Sequence, residues 1–213
     1  MVKQAVARIR NWLFPSCPWV ALLGLDGSGK SSVIEKLEET TVFEGVFVLH
    51  RRPQLVYHTA VASQPGQIEH YQKPPHNAWR SAVKLAAMWL DWLAGYWLTI
   101  YPRRVRGVLV VADRHSLLDL QADPLRYRYG GSPGWVRLAT RLLPMPDAVL
   151  LLDAPTAVLQ ARKQELTAEK AAELRHNYLR LVQKYDRSYV IDASRPLSQV
   201  VAHVQQILSE ISR

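Results

Sequence analysis

The feature that most constrains the fold is a glycine-rich turn placed between an apolar run and a helical pattern. Residues 19–23 are apolar, and residues 24–31, GLDGSGKS, fit G-x-x-x-x-G-K-[ST] at every fixed position. Glycines let the backbone curl so that several N–H groups point at one anion. The helix that follows adds the positive end of its dipole. The sequence therefore predicts a phosphate-binding loop between the first strand of a sheet and its first helix.

The residue types in this loop indicate how it would hold a nucleotide. Lys30 is expected to reach the β and γ phosphates, and the Ser31 hydroxyl is expected to bind Mg²⁺. A glycine turn that only joins a strand to a helix is the alternative, and the strand–loop–helix context favours the phosphate site. The predicted nucleotide-binding residues in and beside the loop are Gly24, Asp26, Gly27, Ser28, Gly29, Lys30, Ser31 and Ser32.

Length and cysteine content narrow the class of protein. The 213 residues suit one α/β domain with a large core. The single cysteine, Cys17, excludes a disulfide framework and fits a reducing compartment. Residues 1–18 have no long apolar core and no small-residue cleavage site, so a cytoplasmic location is expected.

The formal net charge of +9 fits partners that are nucleic acids, acidic membrane surfaces or phosphorylated small molecules. The basic residues are scattered in small groups, and the sequence has no long basic run and no nucleic-acid-binding signature. Basic groups spread over several loops favour a site that holds several phosphates, although part of them is expected to be solvated surface. We therefore expect a small-molecule phosphate acceptor and no nucleic acid.

The first 18 residues form a short extension before the main domain at residues 19–213. Its apolar residues recur at near-helical spacing: Val2, Val6, Ile9, Leu13 and Phe14. An amphipathic helix lying on a membrane surface is one interpretation. A segment that packs on its own domain is the other, and it is the more common arrangement. Two prolines, Pro15 and Pro18, are expected to end the segment before the first strand.

The remainder of the chain alternates strand and helix patterns. Further strands are predicted at residues 44–49, 107–112, 147–152 and 189–191, and helices at 29–39, 77–101, 134–143, 156–162, 167–185 and 197–211. The segments predicted as loops are 54–76 and 116–134. These patterns predict an α/β domain with helices on both faces of a parallel sheet. Such sheets bind ligands at the carboxyl ends of their strands.

Charged residues fall at three predicted strand ends and are expected to converge on one cleft: Arg51 and Arg52, Asp113 and Arg114, and Asp153. Asp113 and Arg114 end a buried strand, where a carboxylate can hold Mg²⁺ and an arginine can neutralise the phosphate of an acceptor. Arg162 and Lys163 lie in a polar stretch between two helices. A mobile lid around residues 160–168 would bring these cations to a transferring phosphoryl group. A plain helix–helix connection with surface cations is the alternative.

A carboxylate interrupts the tryptophan-rich helix. Residues 85–100 are apolar except for Asp91 and Thr99. The window is too short for a comfortable membrane span, so it predicts a buried core helix. A carboxylate there needs a partner or a ligand. Asp91 is therefore a candidate to face a substrate, with an exposed helix edge or an arginine partner as the alternatives.

Taken in order, these features resemble the thymidylate kinase family, within the nucleoside monophosphate kinase group. The resemblance rests on GLDGSGKSS at residues 24–32, VVADRH at 110–115, PDAVLLLDAPTAVLQARK at 146–163 and VIDASRPLSQVV at 190–201. It implies a three-layer α/β/α P-loop kinase fold with a five-stranded parallel sheet. It also implies ATP with Mg²⁺ as the phosphoryl donor and dTMP as the acceptor.

The resemblance implies roles for single residues. Lys30 and Ser31 would hold the donor phosphates and Mg²⁺, and Asp26 would face the acceptor sugar. Asp113 and Arg114 match the Asp-Arg pair of the family. The other implied positions are Arg51 or Arg52 for the acceptor phosphate, Arg162 as the lid arginine, and Ser194 in the segment that packs the donor adenine.

The sequence departs from the family pattern on the acceptor side. Residues 51–55 read RRPQL where the family has R-E-P-G-G-T, and the helix MWLDWLAGYW lacks the family's arginine. The segment DPLRYRYGG at residues 123–131 replaces one that contains glutamine. The predicted acceptor contacts are Asp26, Arg51, Arg52, Asp91, Arg114 and Tyr129.

Other functions stay open at this point. The chain also resembles thymidylate-kinase-like proteins of bacterial surface-polysaccharide loci, which implies that a non-nucleotide acceptor is an alternative to dTMP. A nucleotide-binding module without phosphoryl transfer is a third interpretation. Thymidylate kinases are often dimers, and this analogy makes the tryptophan-rich helix a candidate interface.

Overall fold

A computed structural model describes residues 15, 17–40, 42–50, 52–55, 71, 73–163 and 166–212. Most of the extension at residues 1–18 therefore lies outside the described residues, and so does Arg51. The predicted loop at residues 54–76 is described only at its two ends.

The described residues form a five-stranded parallel sheet with the strand order β2-β3-β1-β4-β5. Its strands are β1 (Trp19–Leu23), β2 (Gly45–His50), β3 (Val108–Asp113), β4 (Ala148–Asp153) and β5 (Ser188–Asp192). The central strands β1, β3 and β4 consist of continuous apolar runs because both of their faces are covered. The predicted parallel sheet is confirmed.

The helices that cover the sheet are α1 (Lys30–Thr40), α2 (Ala78–Gly95), α3 (Tyr101–Val105), α4 (Ser116–Ala122), α5 (Pro133–Arg141), α6 (Thr156–Arg162), α7 (Ala168–Val182) and α8 (Leu197–Ile211). From β1 the chain crosses to β2 at one edge of the sheet. From β3 it crosses in the opposite direction, past β1, to β4. Right-handed crossovers in opposite directions place helices on opposite faces. The result is a three-layer α/β/α domain.

This strand order places a ligand crevice between β1 and β3. The two strands are neighbours, with Leu22 paired to Asp113, yet the chain leaves them in opposite directions. A crevice opens at such a switch point, outside the carboxyl ends of the strands. The glycine-rich loop follows β1, and Arg114 follows β3, so both face this crevice.

The tryptophan-rich segment is helical, as predicted, but only one of its faces is buried, since Leu90, Trp97 and Leu98 are exposed. It is also not one regular helix. Helix α2 passes through a π-helical turn at Tyr96–Ile100 before α3 begins. Its start is capped by Asn77, whose side chain accepts a hydrogen bond from the Arg80 N–H at 3.0 Å. Trp92 stacks on Trp19 of β1, with ring centroids 6.0 Å apart. Within the described part of the chain, no helix has the length and apolarity that crossing a membrane requires.

The prediction of a loop over residues 116–134 is wrong. This segment contains α4, a 3₁₀ turn at Leu125–Tyr127 and the start of α5. Helix α4 is only seven residues long, and His115 at its N-cap position makes no side-chain cap. Its apolar side chains are buried by contacts with α5 and α7. Tertiary packing therefore stabilises a helix too short to give a clear periodic signal.

Candidate functional site

The turn from β1 into α1 has the geometry of an anion cradle. Gly24 has a φ of 147°, and an added Cβ would lie 2.7 Å from the Leu152 carbonyl oxygen. Gly29 has a φ of 86°, and an added Cβ there would meet no described heavy atom within 4 Å. The loop is thus packed tightly against β4 at its start and open where α1 begins. Backbone N–H groups and the helix dipole make that open side suitable for a phosphate.

Lys30 lies folded over this loop. Its Nζ donates hydrogen bonds to the carbonyl oxygens of Gly24 at 3.0 Å and Leu25 at 2.8 Å, and it lies 3.3 Å from Ser28 Oγ. Burial lowers the pKa of Lys30 to about 7, and the nearby charge of Arg114 adds to that effect. A bound phosphate would restore the charged form of this lysine.

Affinity for a non-hydrolysable ATP analogue should therefore fall as the pH rises above about 7. The free protein then loses the Lys30 proton, and the analogue has to restore it, so affinity should drop by up to about tenfold per pH unit. Calorimetric titrations between pH 6 and 9 would measure this. Lys36→Gln, which alters an exposed lysine of α1, should keep the wild-type profile. An affinity that does not change with pH would contradict the role of Lys30 in phosphate binding.

Arg114 has an unusual backbone conformation. Its φ is 67°, in the left-handed region that a non-glycine residue enters at about 1–2 kcal/mol. A hydrogen bond from its N–H to the Leu22 carbonyl oxygen, at 3.1 Å, fixes this turn beside β1. Glycine would relieve the backbone but would remove the guanidinium. Strain of this kind often occurs at functional sites, so the turn is consistent with the predicted role of Arg114.

Asp113 and Ser31 fit the requirements of Mg²⁺. Asp113 Oδ1 is buried and has no hydrogen-bond partner among the described residues, while Oδ2 lies 3.5 Å from His50 Nδ1. Ser31 is exposed at the start of α1. Carboxylate and hydroxyl oxygens are ligands that Mg²⁺ accepts, with nucleotide phosphates and water completing its shell. The described residues hold no group of three His, Cys, Asp or Glu side chains that could bind a metal by themselves.

A buried ionic network connects the phosphate loop to Arg114. Arg114 Nη2 lies 2.6 Å from Asp26 Oδ1, and Arg114 Nη1 lies 3.3 Å from Asp119 Oδ1. Arg126 Nη2 lies 3.2 Å from the other oxygen of Asp26. Asp26 and Arg114, which the sequence assigned to the site, are therefore in direct contact. Asp119 and Arg126 are functional candidates that sequence reasoning missed.

Two tyrosines complete this network around Asp119. Tyr127 donates a hydrogen bond to Asp119 Oδ2 at 2.9 Å, and Tyr178 of α7 donates to Oδ1. Burial alone would raise the pKa of Asp119, but Arg114, Arg126 and the two tyrosine hydroxyls outweigh it and lower the pKa below its usual range. The carboxylate is therefore ionised and holds α4, α7 and the Arg114 turn together.

The two cations of the predicted lid lie beside the phosphate loop. An added Cβ at Gly27 would lie 3.3 Å from Lys163 Cβ and 3.6 Å from Arg162 Cβ. Arg162 itself is exposed, and its Nη1 donates to the Ala193 carbonyl oxygen at 2.9 Å. Ser194 lies next to that carbonyl, and its N–H and hydroxyl bind Asp192. Residues 164–165 of the predicted lid lie outside the described residues.

Two further predicted acceptor residues, Asp91 and Tyr129, bind backbone groups of neighbouring segments. Asp91 accepts hydrogen bonds from the backbone N–H groups of Gln54 at 2.9 Å and Leu55 at 2.6 Å, so it holds the segment that follows β2. Arg52 of that segment is buried. Tyr129 donates to the Ser132 carbonyl oxygen at 3.2 Å, at the start of α5. Acceptor contacts by these three residues stay predictions.

Asp153, at the end of β4, was expected to join the same cleft. It forms a bidentate ion pair with Arg175 of α7, with both N–O distances at 2.7 Å. This pair anchors α7 to the sheet, and α7 in turn carries Tyr178. Asp153 therefore supports the site through the helix that it holds.

Comparison with known proteins gives a consistent picture. The family model described as thymidylate kinase matches residues 23–204. A probable thymidylate kinase of Pyrobaculum aerophilum is 29% identical, with 92% of this chain and 98% of that protein aligned. A probable thymidylate kinase of Methanosarcina mazei is 30% identical, with 91% of this chain and 97% of that protein aligned. A probable thymidylate kinase of Halorubrum lacusprofundi is also 30% identical, with 90% of this chain and 98% of that protein aligned.

Proposed function

The chain belongs to the thymidylate kinase family, and from that premise we propose that it transfers the γ-phosphoryl group of ATP to the phosphate of dTMP. An oxygen of the dTMP phosphate forms a bond to the γ-phosphorus while the bond from that phosphorus to the β,γ-bridging oxygen breaks. The products are dTDP and ADP. The observation that carries the proposal is the contact of Asp26 in the phosphate loop with Arg114 at the adjacent strand end.

The donor half of the site is the loop and the residues beside it. The nucleotide phosphates would lie over the open side near Gly29, and Lys30 would exchange its carbonyl partners for phosphate oxygens. Mg²⁺, when bound, neutralises charge on the transferring group, and Ser31 and Asp113 are the residues that would hold it. Arg162 would add positive charge from the lid.

The acceptor half is organised by Arg114. Its guanidinium is held by Asp26 and Asp119 on a fixed backbone turn, so it is preorganised to bind the dTMP phosphate. Phosphoryl transfer needs positioning and cations more than covalent chemistry by the protein. An arginine fixed beside the phosphate loop supplies both.

A panel of acceptors with ATP and Mg²⁺ tests this function. We expect dTMP to be phosphorylated with a kcat/KM about tenfold or more above that of dUMP, since one methyl group in an apolar pocket is worth roughly that much. Thymidine, which lacks the phosphate, should give no product and serves as the control. Turnover of a sugar acceptor but not of dTMP would establish the non-nucleotide alternative. ATP binding without turnover of any acceptor would establish the module without transfer.

The exposed face of α2 supports a homodimer. Trp79, Val83 and Leu90 of α2 and Trp97 of the π-helical turn after it are exposed and recur at spacings of four and seven residues. A second copy of the chain could cover this apolar stripe through a two-fold axis. Light scattering of the full chain and of Trp97→Glu would test this proposal, since the substitution should convert a dimer to a monomer. A wild-type monomer would contradict it.

Peripheral membrane contact through residues 1–18 is a separate proposal, based on the apolar spacing and basic residues of that segment. Pelleting with anionic vesicles should be lost when the segment is removed, and equal pelleting of the truncated chain would contradict the proposal. A cytoplasmic location is proposed on the single cysteine, Cys17, which fits a reducing compartment.

A further inference from the structure

Arg126 brings a second guanidinium to the phosphate site. It follows α4 in the segment that departs from the family pattern, and only 12% of its side chain is exposed. Its Nη2 lies 3.2 Å from Asp26 Oδ2, whereas Arg114 Nη2 lies 2.6 Å from Asp26 Oδ1. One carboxylate of the phosphate loop thus holds two arginines side by side.

The charges around Asp26 favour the arrival of an anion. Arg114 Nη2 and Arg126 Nη2 contact the two oxygens of this one carboxylate, and Lys30 Nζ lies over the same loop, 3.0 Å from the Gly24 carbonyl oxygen. The two guanidiniums therefore lie close to each other. Like charges repel strongly in a partly desolvated site. A phosphate dianion placed among them would relieve this repulsion.

Arg126 adds a second guanidinium to a pair of carboxylates that Arg114 already connects. Arg114 contacts both Asp26 and Asp119, and Arg126 reaches the same two carboxylates, with its Nε 4.0 Å from Asp119 Oδ2. A further buried arginine is expensive to desolvate, and buried ion pairs add little stability on average. Arginine is also the side chain best suited to bidentate phosphate binding. Its presence beside Asp26 is therefore better explained by a ligand.

The main chain that carries Arg126 is fixed, so only its side chain needs to move. The Arg126 N–H donates to Asp123 Oδ1 at 3.2 Å. The next residue, Tyr127, is fixed through both its side chain and its main chain. Its hydroxyl binds Asp119, and its carbonyl oxygen accepts from Lys84 Nζ at 2.6 Å. A guanidinium on this anchored main chain can exchange one anionic partner for another without rearranging the loop.

We propose that Arg126 is an acceptor-binding residue whose guanidinium moves from Asp26 to the phosphate of the incoming nucleoside monophosphate, beside Arg114. Asp26 Oδ2 is then free to accept a hydrogen bond from the sugar of the acceptor. The proposal rests on the kinase function proposed above, and it adds a residue that fixes the acceptor phosphate. Arg126 distinguishes a phosphorylated acceptor from its dephosphorylated form.

The test compares two ligands that differ only in the phosphate. The full chain, saturated with a non-hydrolysable ATP analogue and Mg²⁺, is titrated with dTMP and with thymidine by calorimetry. Arg126→Gln should weaken dTMP binding by about ten- to a hundredfold, the range of a charge-assisted hydrogen bond. Thymidine affinity should change by less than about twofold, because that ligand offers Arg126 no anion. Arg126→Lys should recover part of the loss, since it keeps the charge.

Arg128 provides a matched control on the same segment. It is partly exposed, and its Nε donates to the Pro74 carbonyl oxygen at 3.0 Å, away from Asp26. Arg128→Gln should keep the wild-type affinity for both ligands. An equal loss of dTMP and thymidine affinity in Arg126→Gln would overturn the proposal, because it would show that Arg126 acts only by holding Asp26. Unchanged dTMP affinity would overturn it as well.

A wild-type chain that does not bind dTMP would refute the proposed acceptor rather than the role of Arg126. The same variants would then be titrated with inorganic phosphate while the ATP analogue fills the donor half. Weaker phosphate binding by Arg126→Gln than by Arg128→Gln supports the role of Arg126. Equal phosphate binding by the two variants, or no phosphate binding by the wild-type chain, overturns it.

Discussion

Replacing Lys30 with alanine is expected to lower kcat for phosphoryl transfer by about a thousandfold or more while the protein stays folded. The effect is large because Lys30 Nζ is the cation of the phosphate loop, and removing one preorganised charge partner from a transfer site has effects of this order. Stability should not fall, because burial lowers the pKa of Lys30 and so disfavours its charged form in the fold. Steady-state transfer assays and urea unfolding measure the two effects.

Lys36→Ala is the matched control for this substitution. Lys36 lies on the exposed face of the same helix, where it pairs with Glu39 at 2.5 Å. Exposed pairs of this kind contribute little to stability, so both kcat and stability should stay close to wild type. Transfer by Lys30→Ala at the wild-type rate would refute the role given to the loop.

Replacing Asp119 with alanine should destabilise the protein by about 3–5 kcal/mol, the penalty for breaking a buried ion pair by removing one partner. Arg114 would lose one of its two carboxylates, and Tyr127 and Tyr178 would lose their acceptor. Urea unfolding at pH 7 gives the difference directly. Glu173→Ala, which breaks the more exposed pair with Lys170, should change stability by less than about 1 kcal/mol.

The stabilisation that Asp119 gives the fold should also depend on pH and should decrease as the pH falls. Its pKa is lower in the folded protein than in the unfolded chain, so the stabilisation is present above the unfolded value and is lost as the pH falls. The difference in unfolding free energy between wild type and Asp119→Ala should therefore shrink below about pH 4. An alanine variant as stable as wild type at pH 7 would contradict the buried network.

Local patterns in the sequence were sufficient to predict the sheet and the phosphate loop. Continuous apolar runs identified the buried strands because parallel strands are covered on both faces. The loop carries fixed glycines because its backbone enters the left-handed region, as at Gly29. Both signals lie within a few residues of the feature that they predict, so no knowledge of distant contacts was needed.

The acceptor side was harder to predict because it depends on contacts between distant parts of the chain. Asp91 is a partner of backbone N–H groups 36 and 37 residues earlier in the chain, which the pattern of α2 does not reveal. Asp26 meets Arg126 from 100 residues away. Helix α4 was missed because it is short, and with it the contact of Asp119 with Arg114 five residues earlier. Three departures from the family pattern, at residues 51–55, in the tryptophan-rich helix and at residues 123–131, signalled in advance that this half of the site differs.

The central claim is that the donor loop and the Arg114 turn form one site for transfer between two nucleotides. The most direct measurement follows the label from ATP labelled at the γ-phosphorus, with dTMP as acceptor and wild-type protein. Label is expected in the β-phosphate of dTDP, in equal amount to the ADP formed, and Lys30→Ala should abolish this product. Label released only as inorganic phosphate, or retained in ATP, would contradict the claim.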